Sequence, residues 1–168
     1  IEVSKPVRAA KDYLPAHLTP FVGRVSELDD LIRLLTHPHT RFVTILAPGG
    51  MGKTRLALAV AQLVLEQFRD GVYFVPCAPL TSSEQALPTI AEALAYQFFT
   101  DGRTPKQQLL DFLRGQQLLL LLDNLEHLPQ AAALIADILQ AAPQVKVVST
   151  SRERLKLVGE TIYGLTGM

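Results

Sequence analysis

Short, continuous apolar runs alternate along the chain with longer segments in which apolar residues recur every three or four positions. The apolar runs predict buried strands at 41–47, 72–75, 118–122, 145–149 and 161–164. The periodic segments predict helices from Arg24 or Ser26 to His37, and over 53–68, 83–98, 104–114 and 131–141. Pro88 favours a break or a later start in the third of these helices. The alternation predicts an α/β fold with a doubly wound, five-stranded, mainly parallel sheet and helices on both faces.

The amino-acid composition of the chain limits the classes of protein to which it can belong. The chain has 168 residues, of which 48% are hydrophobic and 19% charged, so one packed globular domain is expected. The formal net charge is zero, which gives no sign of a basic face, and we expect no direct contact with nucleic acid. The longest leucine run, 118–122, is far shorter than the roughly 20 apolar residues that cross a bilayer, so no membrane partner is expected. A single cysteine, Cys77, fits a buried thiol in the reducing cytoplasm.

A phosphate-binding loop lies between the first predicted strand and the helix after it. The segment APGGMGKT, residues 47–54, matches the pattern G-x-x-x-x-G-K-[ST] except at Ala47. Its glycines let successive backbone N–H groups converge on phosphate oxygens, and the helix N-terminus adds partial positive charge. Lys53 is expected to reach the β- and γ-phosphates, and the Thr54 hydroxyl to coordinate Mg²⁺. The residues predicted to contact nucleotide here are Pro48, Gly49, Gly50, Met51, Gly52, Lys53, Thr54 and Arg55.

An acid at the end of the leucine-rich strand completes the predicted metal site. Asp123 follows the run 118–122, at a carboxyl end of the sheet where ligands gather, and is expected to hold Mg²⁺ together with Thr54. The next residue is Asn124, whose amide can orient a water molecule but cannot take its proton. Glu126 is an alternative base, or simply an exposed loop residue. Nucleotide binding is therefore predicted more firmly than rapid hydrolysis.

Residues 1–20 show no sustained periodicity and contain three prolines, so we predict a linker or N-terminal arm there. A P-loop nucleotide-binding domain is predicted over 21–168. Because the chain starts at Ile1 rather than at a methionine, we expect it to be a fragment of a larger multidomain protein.

Four blocks of the sequence together resemble the STAND class of P-loop ATPases, which includes the NB-ARC proteins and bacterial signalling and transcriptional regulators. They are 14–24 (LPAHLTPFVGR), 48–57 (PGGMGKTRLA), 118–128 (LLLLLDNLEHL) and 149–160 (STSRERLKLVGE). The resemblance implies a P-loop fold of the ASCE type, with the fourth strand lying between the first and the third. It departs from the family at Val25, where an acid is usual, and at Ala47.

The resemblance also implies roles and partners. Val22 and Arg24 would contact the adenosine, and Arg152 would sense the γ-phosphate. ADP would hold the parent protein closed and ATP would open it, with slow hydrolysis and self-association in the ATP-bound state. Helical and winged-helix domains of the parent protein would complete the pocket, and its sensor domains would be further partners.

Two other functions fit the phosphate loop. A small phosphotransferase needs an acceptor site and lid arginines, yet the segment 78–117 contains just Arg103 and Arg114. An AAA+-type or DNA-metabolism ATPase is the other alternative, against which the lack of a basic stripe counts.

Overall fold

The computed structural model describes residues 12–13, 24–48, 52–126, 128 and 130–165. Its strands are β1 (Asp12–Tyr13), β2 (Phe42–Leu46), β3 (Val72–Pro76), β4 (Leu119–Asp123), β5 (Lys146–Ser151) and β6 (Glu160–Gly164). Its helices are α1 (Val25–Thr36), α2 (Lys53–Leu63), α3 (Ala86–Ala93), α4 (Pro105–Leu113) and α5 (Ala131–Ala141). Two 3₁₀ turns, Leu65–Gln67 and Ser83–Gln85, lie between them.

All six strands described are parallel and form one sheet in the order β1-β3-β4-β5-β2-β6. The predicted doubly wound α/β fold is confirmed, and β5 lies between β2 and β4 as the family resemblance implied. The five predicted strands are all present. The short β1 adds a sixth at the edge, inside the segment predicted to be a linker, where it pairs with the start of β3.

The sheet separates two hydrophobic clusters. One face packs against α3, α4 and α5, with Phe42, Leu120 and Leu122 among its buried residues. The other face packs against α1 and α2 and buries Leu119 and Leu121. Every residue of β4 is buried, as expected for a central strand covered on both sides. The strand ends that bear the phosphate loop and Asp123 therefore project from a rigid centre.

Two helices end earlier than the sequence predicts. The predicted helix 83–98 begins with a 3₁₀ turn, and α3 ends at Ala93. Ala95 takes a left-handed conformation (φ 56°), and the N–H of Tyr96 donates to the carbonyl of Ala91 at 2.9 Å. This closure is a Schellman-type end formed without glycine, which gives no sequence signal. Pro88 sits in the first turn of α3, where proline is tolerated.

The predicted helix 53–68 ends at Leu63. A 3₁₀ turn follows, and Val64 and Phe68 on either side of it are both buried. The N–H of Gln67 donates to the carbonyl of Val64 at 2.9 Å and that of Phe68 to the carbonyl of Leu65 at 3.2 Å, bonds three residues back that mark a 3₁₀ turn. In α4 the prediction holds, because Pro105 occupies the first turn and the Thr104 hydroxyl accepts a hydrogen bond from the N–H of Gln107 at 3.1 Å.

Candidate nucleotide-binding site

The described parts of the phosphate loop join β2 to α2 at the carboxyl edge of the sheet. Ala47 is buried, and its N–H donates to the carbonyl of Ser151 on β5 at 3.2 Å. It is not among the described non-glycine residues with positive φ, so the alanine fits the loop without backbone strain. Gly52 precedes α2 with φ 78°, a conformation that favours glycine. Gly49, Gly50 and Met51 lie outside the described residues, so their predicted contacts stay predictions.

Lys53 opens α2 with its side chain mostly covered. It is 7% exposed, and its Nζ donates to the carbonyl of Pro48 at 3.4 Å, which is long for a hydrogen bond. Lys53 thus bends back over its own loop through a weak contact. A phosphate oxygen would be a stronger acceptor for the ammonium group.

Asp123 receives hydroxyl hydrogen bonds from two different elements. Thr54 Oγ1 on α2 and Thr150 Oγ1 on β5 both donate to its Oδ1 at 2.6 Å. Asp123 is 7% exposed and Thr150 is fully buried. The structure therefore brings Thr54 and Asp123 together, and their joint coordination of Mg²⁺ stays a prediction. The part of Thr150 was not predicted, although the polar run 149–151 that ends an otherwise apolar strand was visible in the sequence.

The residue after Asp123 makes a left-handed turn. Asn124 has φ 62°, its N–H donates to Thr150 Oγ1 at 2.9 Å, and its Nδ2 lies 3.5 Å from Asp123 Oδ2. Asparagine tolerates this conformation better than most residues because its short polar side chain bonds locally. The amide side chain thus lies beside the carboxylate that Thr54 and Thr150 orient.

Cys77 follows β3, and its backbone contacts the backbone of Asp123. Its N–H donates to the Asp123 carbonyl at 3.0 Å, and the side chain is 1% exposed. Burial, and secondarily the negative charge of Asp123, raise the pKa of the thiol to about 12. The predicted buried thiol is confirmed, and at neutral pH it is uncharged.

Arg152 and Glu126 lie next to each other in the loops that follow β5 and β4. Arg152 Nε is 3.6 Å from Glu126 Oε1, with the arginine side chain 64% exposed and the glutamate 20% exposed. Glu126 is therefore not the exposed loop residue that the sequence left as an alternative. Among the described residues Arg152 forms an ion pair with this carboxylate, and its role as a γ-phosphate sensor stays a prediction.

The remaining predicted ligands are distributed around this edge. Arg24 precedes α1 in a left-handed conformation (φ 54°) and is partly buried. Arg55 is exposed in the first turn of α2, and Val22 lies outside the described residues. Their contacts with nucleotide stay predictions.

A partly buried polar network supports the loop that bears Arg152. Thr44 Oγ1 on β2 donates to Glu160 Oε2 at 2.5 Å and lies 3.0 Å from Ser149 Oγ. The Glu160 carboxylate also accepts the N–H groups of Leu155 at 3.1 Å and Lys156 at 3.0 Å. The network links the strand of the phosphate loop to the segment 152–159, and local sequence patterns did not reveal it.

A family model described as an AAA domain matches residues 36–161, which include Lys53, Thr54, Asp123 and Arg152. The chain belongs to this AAA domain family. It is accordingly a P-loop nucleotide-binding domain of the AAA type, the class that the sequence analysis kept as an alternative. The STAND subclass stays a prediction.

Longer proteins contain similar AAA domains. A Mycobacterium tuberculosis protein named as a candidate HTH-type transcriptional regulator is 38% identical over 129 residues, which are 76% of this chain and 14% of that protein. An uncharacterised protein of the same organism is 36% identical over 148 residues, which are 88% of this chain and 37% of that protein. The chain thus spans well under two thirds of either relative.

Solved structures share the fold. The crystal structure of Cdc6p from Pyrobaculum aerophilum superposes with a TM-score of 0.68 at 18% identity, covering 90% of this chain and 48% of that one. At this identity the similarity concerns the AAA-type fold alone. None of the described helices combines the length and the apolar character needed to cross a membrane.

Proposed function

We propose that this chain is the ATP/ADP-binding core of a STAND-class signal-transduction ATPase and acts as a nucleotide-dependent switch with slow hydrolysis. The hydrogen bonds from Thr54 and Thr150 to one oxygen of Asp123 are the observation that supports this most directly. They bring the phosphate-loop helix, the acidic strand end and β5 together around one carboxylate, next to Lys53.

The oxygen donors at this point suit Mg²⁺, which prefers hydroxyl, carboxylate and water oxygens. Thr54 and Asp123 would hold the ion, and their direct contact shows that the two donors are already close together. When bound, the ion would neutralise charge on the phosphate oxygens. Lys53 would exchange its long contact with Pro48 for the β- and γ-phosphates.

Slow turnover is proposed because of Asn124. This position follows the acidic strand end directly, and an amide there orients water without accepting a proton. A switch that must remain in one nucleotide state needs slow turnover. It also needs ADP and ATP to bind its two conformations with different affinities, because equal affinities shift no equilibrium.

The relatives support a place in a larger protein. One is named as a candidate HTH-type regulator, so we propose that effector, helical and winged-helix domains of a parent protein read the nucleotide state. Self-association of the ATP-bound form belongs to the same proposal. The phosphotransferase alternative loses support, because the chain belongs to an AAA domain family.

The first experiment is a thermal-shift titration of the chain with MgADP and MgATP, alongside Lys53→Ala. A ligand at a hundredfold its Kd stabilises by about 2.7 kcal/mol. For a chain of this size that shift corresponds to roughly 5–11 °C in Tm. We expect this shift in the wild type and its loss in Lys53→Ala, because the ammonium group contacts the phosphates.

Lys106→Ala is the matched control, since Lys106 forms an ion pair with Asp137 away from the site. It should retain the full nucleotide shift. A folded wild type that gains no stability from either nucleotide, or a Lys53→Ala variant that shifts as much as the control, would reject the proposed site.

A further inference from the structure

A cavity of about 320 Å³ lies at the amino edge of the sheet, opposite the edge that bears the phosphate loop. Arg41 directly precedes β2, and Lys146 is the first residue of β5; both line the cavity. A strand rises about 3.3 Å per residue, so β2 and β5 separate the cavity from the phosphate loop by roughly 15–20 Å. We call this cavity the amino-edge pocket.

The two cationic side chains of the amino-edge pocket are neighbours across the sheet. Arg41 and Lys146 come just before the paired residues Phe42 and Val147. The N–H of Val147 donates to the carbonyl of Arg41 at 2.9 Å. Burial, and secondarily the charge of Arg41, lower the pKa of Lys146. The two positive charges therefore lie close enough to destabilise each other.

Backbone carbonyls hold both cations in place. Arg41 donates through Nε and Nη2 to carbonyls in and after the last turn of α5, at 2.6–3.0 Å. Lys146 Nζ donates to the carbonyls of Leu35 and His37, at the end of α1, at 2.7 and 2.8 Å. These contacts leave Arg41 Nη1 and one N–H of Lys146 without a hydrogen bond among the described residues. Both side chains are thus fixed, yet each keeps a donor for a ligand.

The charge of the amino-edge pocket is not balanced by an acid. No carboxylate in the described part of the chain forms an ion pair with Arg41 or Lys146. Asp70 accepts the backbone N–H of the lining residue Gln117, but it is ion-paired with Arg69 and lies outside the lining. Carbonyl groups stabilise a cation without neutralising it, so two adjacent positive charges remain for an anion.

The rest of the lining suits a small organic molecule. Phe68 and Pro143 contribute apolar surface, and Gln67 and Gln144 contribute amide groups. Small-molecule sites have volumes of about 300–1,000 Å³, so this pocket has the size of a small one. A phosphate monoester carries a charge of about −1.5 to −2 at pH 7, which matches two cations.

We propose that the amino-edge pocket binds a small organic dianion, of the size and charge of a phosphate monoester, through Arg41 Nη1 and Lys146 Nζ. The carbonyl contacts of both side chains persist in the complex, so the binding groups are ordered beforehand and little further conformational entropy is lost. Charge-assisted hydrogen bonds supply the affinity. This site lies at the edge opposite the proposed nucleotide site and does not depend on it.

Site-resolved amide NMR of the whole chain, titrated with glycerol phosphate at constant ionic strength, tests the proposal. The amides of Gln117, Gln144 and Lys146 should shift and saturate with a Kd of about 1 mM or less. Uncharged glycerol should leave them unchanged. Succinate is the second dianionic probe, and the tighter of the two shows whether the pocket prefers phosphate or carboxylate oxygens.

The phosphate loop is a second possible site for glycerol phosphate, so the titration is repeated with Lys53→Ala. The amides of the amino-edge pocket should shift equally in the two chains, because the pocket is remote from Lys53. Shifts that are confined to the phosphate loop would overturn the proposal.

Lys146→Met removes one charge and keeps an apolar stem of similar length. It should weaken binding of the dianion by about 10-fold, because a charge-assisted hydrogen bond is lost. Lys106→Met is the matched control, since it makes the same exchange at a lysine that is ion-paired with Asp137 outside the pocket. It should bind as the wild type does.

Arg41→Gln removes the other charge and should weaken binding to a similar extent. It is the second variant because Lys146 also holds the end of α1, and each variant is compared only when its spectrum shows the folded chain. The wild-type titration is decisive even if neither variant folds.

A folded wild type whose pocket amides do not saturate with either dianion would overturn the proposal. Equal affinities in Lys146→Met and Lys106→Met would do the same. If the pocket amides respond as expected while neither MgADP nor MgATP binds, the proposed nucleotide switch is rejected and the anion site stands.

Discussion

At the scale of single residues, the site depends on hydroxyl groups that orient one carboxylate. Thr150 is the clearest case, because its oxygen donates to Asp123 and accepts the N–H of Asn124. One fully buried side chain thus forms hydrogen bonds with both the Asp123 carboxylate and the backbone of the turn that follows it. Its strand position explains why the arrangement is rigid, since β5 pairs with both β2 and β4.

The raised pKa of the Cys77 thiol predicts a specific pH dependence of the free energy of unfolding. The pKa of Cys77 is raised in the folded protein from 9.0 to about 12, so the unfolded thiol ionises first as pH rises. The stability that this difference contributes is complete below pH 9 and is lost as pH rises toward 12. Between pH 8 and 10, the free energy of unfolding should fall by about 1 kcal/mol more in the wild type than in Cys77→Ala.

Urea unfolding at several pH values measures this difference. The comparison uses the slopes of the two pH profiles, because Cys77→Ala also changes packing at every pH. Parallel profiles would mean that the thiol ionises equally easily in both states, contrary to its burial.

At the scale of elements, the loop 152–159 is held in place by the residue that follows its C-terminal end. Glu160 begins β6 and accepts hydrogen bonds from Leu155, Lys156 and the Thr44 hydroxyl. Lys156 has φ 61°, and Gly159 has φ 86°, so the loop includes two left-handed residues. A single carboxylate therefore compensates for a segment with little regular structure of its own.

Glu160→Ala should release this loop and leave the sheet intact. Hydrogen bonds to charged groups contribute about 1.5–3 kcal/mol. Amide exchange at Leu155 and Lys156 should accordingly accelerate by roughly 10- to 100-fold where local opening governs exchange. Hydrogen-exchange NMR would record these amides together with those of Val147 and Val148, which should keep their protection.

Glu153→Ala is the control, because Glu153 bonds to Ser151 Oγ through its backbone N–H and carbonyl, which the substitution keeps. Unchanged exchange at both amides in Glu160→Ala would mean that the carboxylate does not hold the loop.

The elements differ in how far the sequence predicts them. The strands were found because a continuous apolar run is a direct record of burial on both faces, as in β4. The ends of α2 and α3 were wrong, because a 3₁₀ turn and the left-handed Ala95 depend on packing between distant segments. The two-residue β1 was missed since so short a strand exists only through its pairing with β3.

The residues of the candidate site also differ in how far the sequence predicts them. Lys53, Thr54 and Asp123 occur in motifs whose spacing reflects phosphate and metal chemistry, so the sequence alone makes them candidates. The contribution of Thr150 depends on the register between β4 and β5, in which Leu122 pairs with Ser149. The pairing of Arg152 with Glu126 depends on the same register. A local sequence pattern predicts neither the register between two strands nor the direction of a side chain.

At the scale of the whole molecule, two hydrophobic clusters pack on opposite faces of one sheet, so we expect each cluster to depend on the other for its stability. Successive residues of β4 point to opposite faces, with Leu120 in one cluster and Leu121 in the other. Neither side chain is exposed to solvent. Loss of either cluster would remove support from the strand that ends in Asp123.

Leu120→Ala and Leu121→Ala should therefore behave alike despite lying on different faces. Each should lower the free energy of unfolding by about 2–5 kcal/mol through lost burial and a cavity. Urea unfolding followed by circular dichroism and by tyrosine fluorescence should show one coincident transition with an unchanged m-value.

Leu63→Ala is the control, since Leu63 is 60% exposed at the end of α2 and should change stability by less than about 0.5 kcal/mol. Separate transitions for the two probes in either core variant would show that the faces unfold independently.

The left-handed turn at Asn124 limits how this protein can be re-engineered. Placing a glutamate at 124, to imitate faster ATPases, would put a longer side chain at φ 62°, a conformation that L-residues other than asparagine and aspartate adopt at a cost. The new carboxylate would also stand beside that of Asp123, where like charges repel. A designer who wants a faster enzyme would have to rebuild the turn as well as exchange its residue. The slow pace of the proposed switch would then be a property of its backbone as much as of its chemistry.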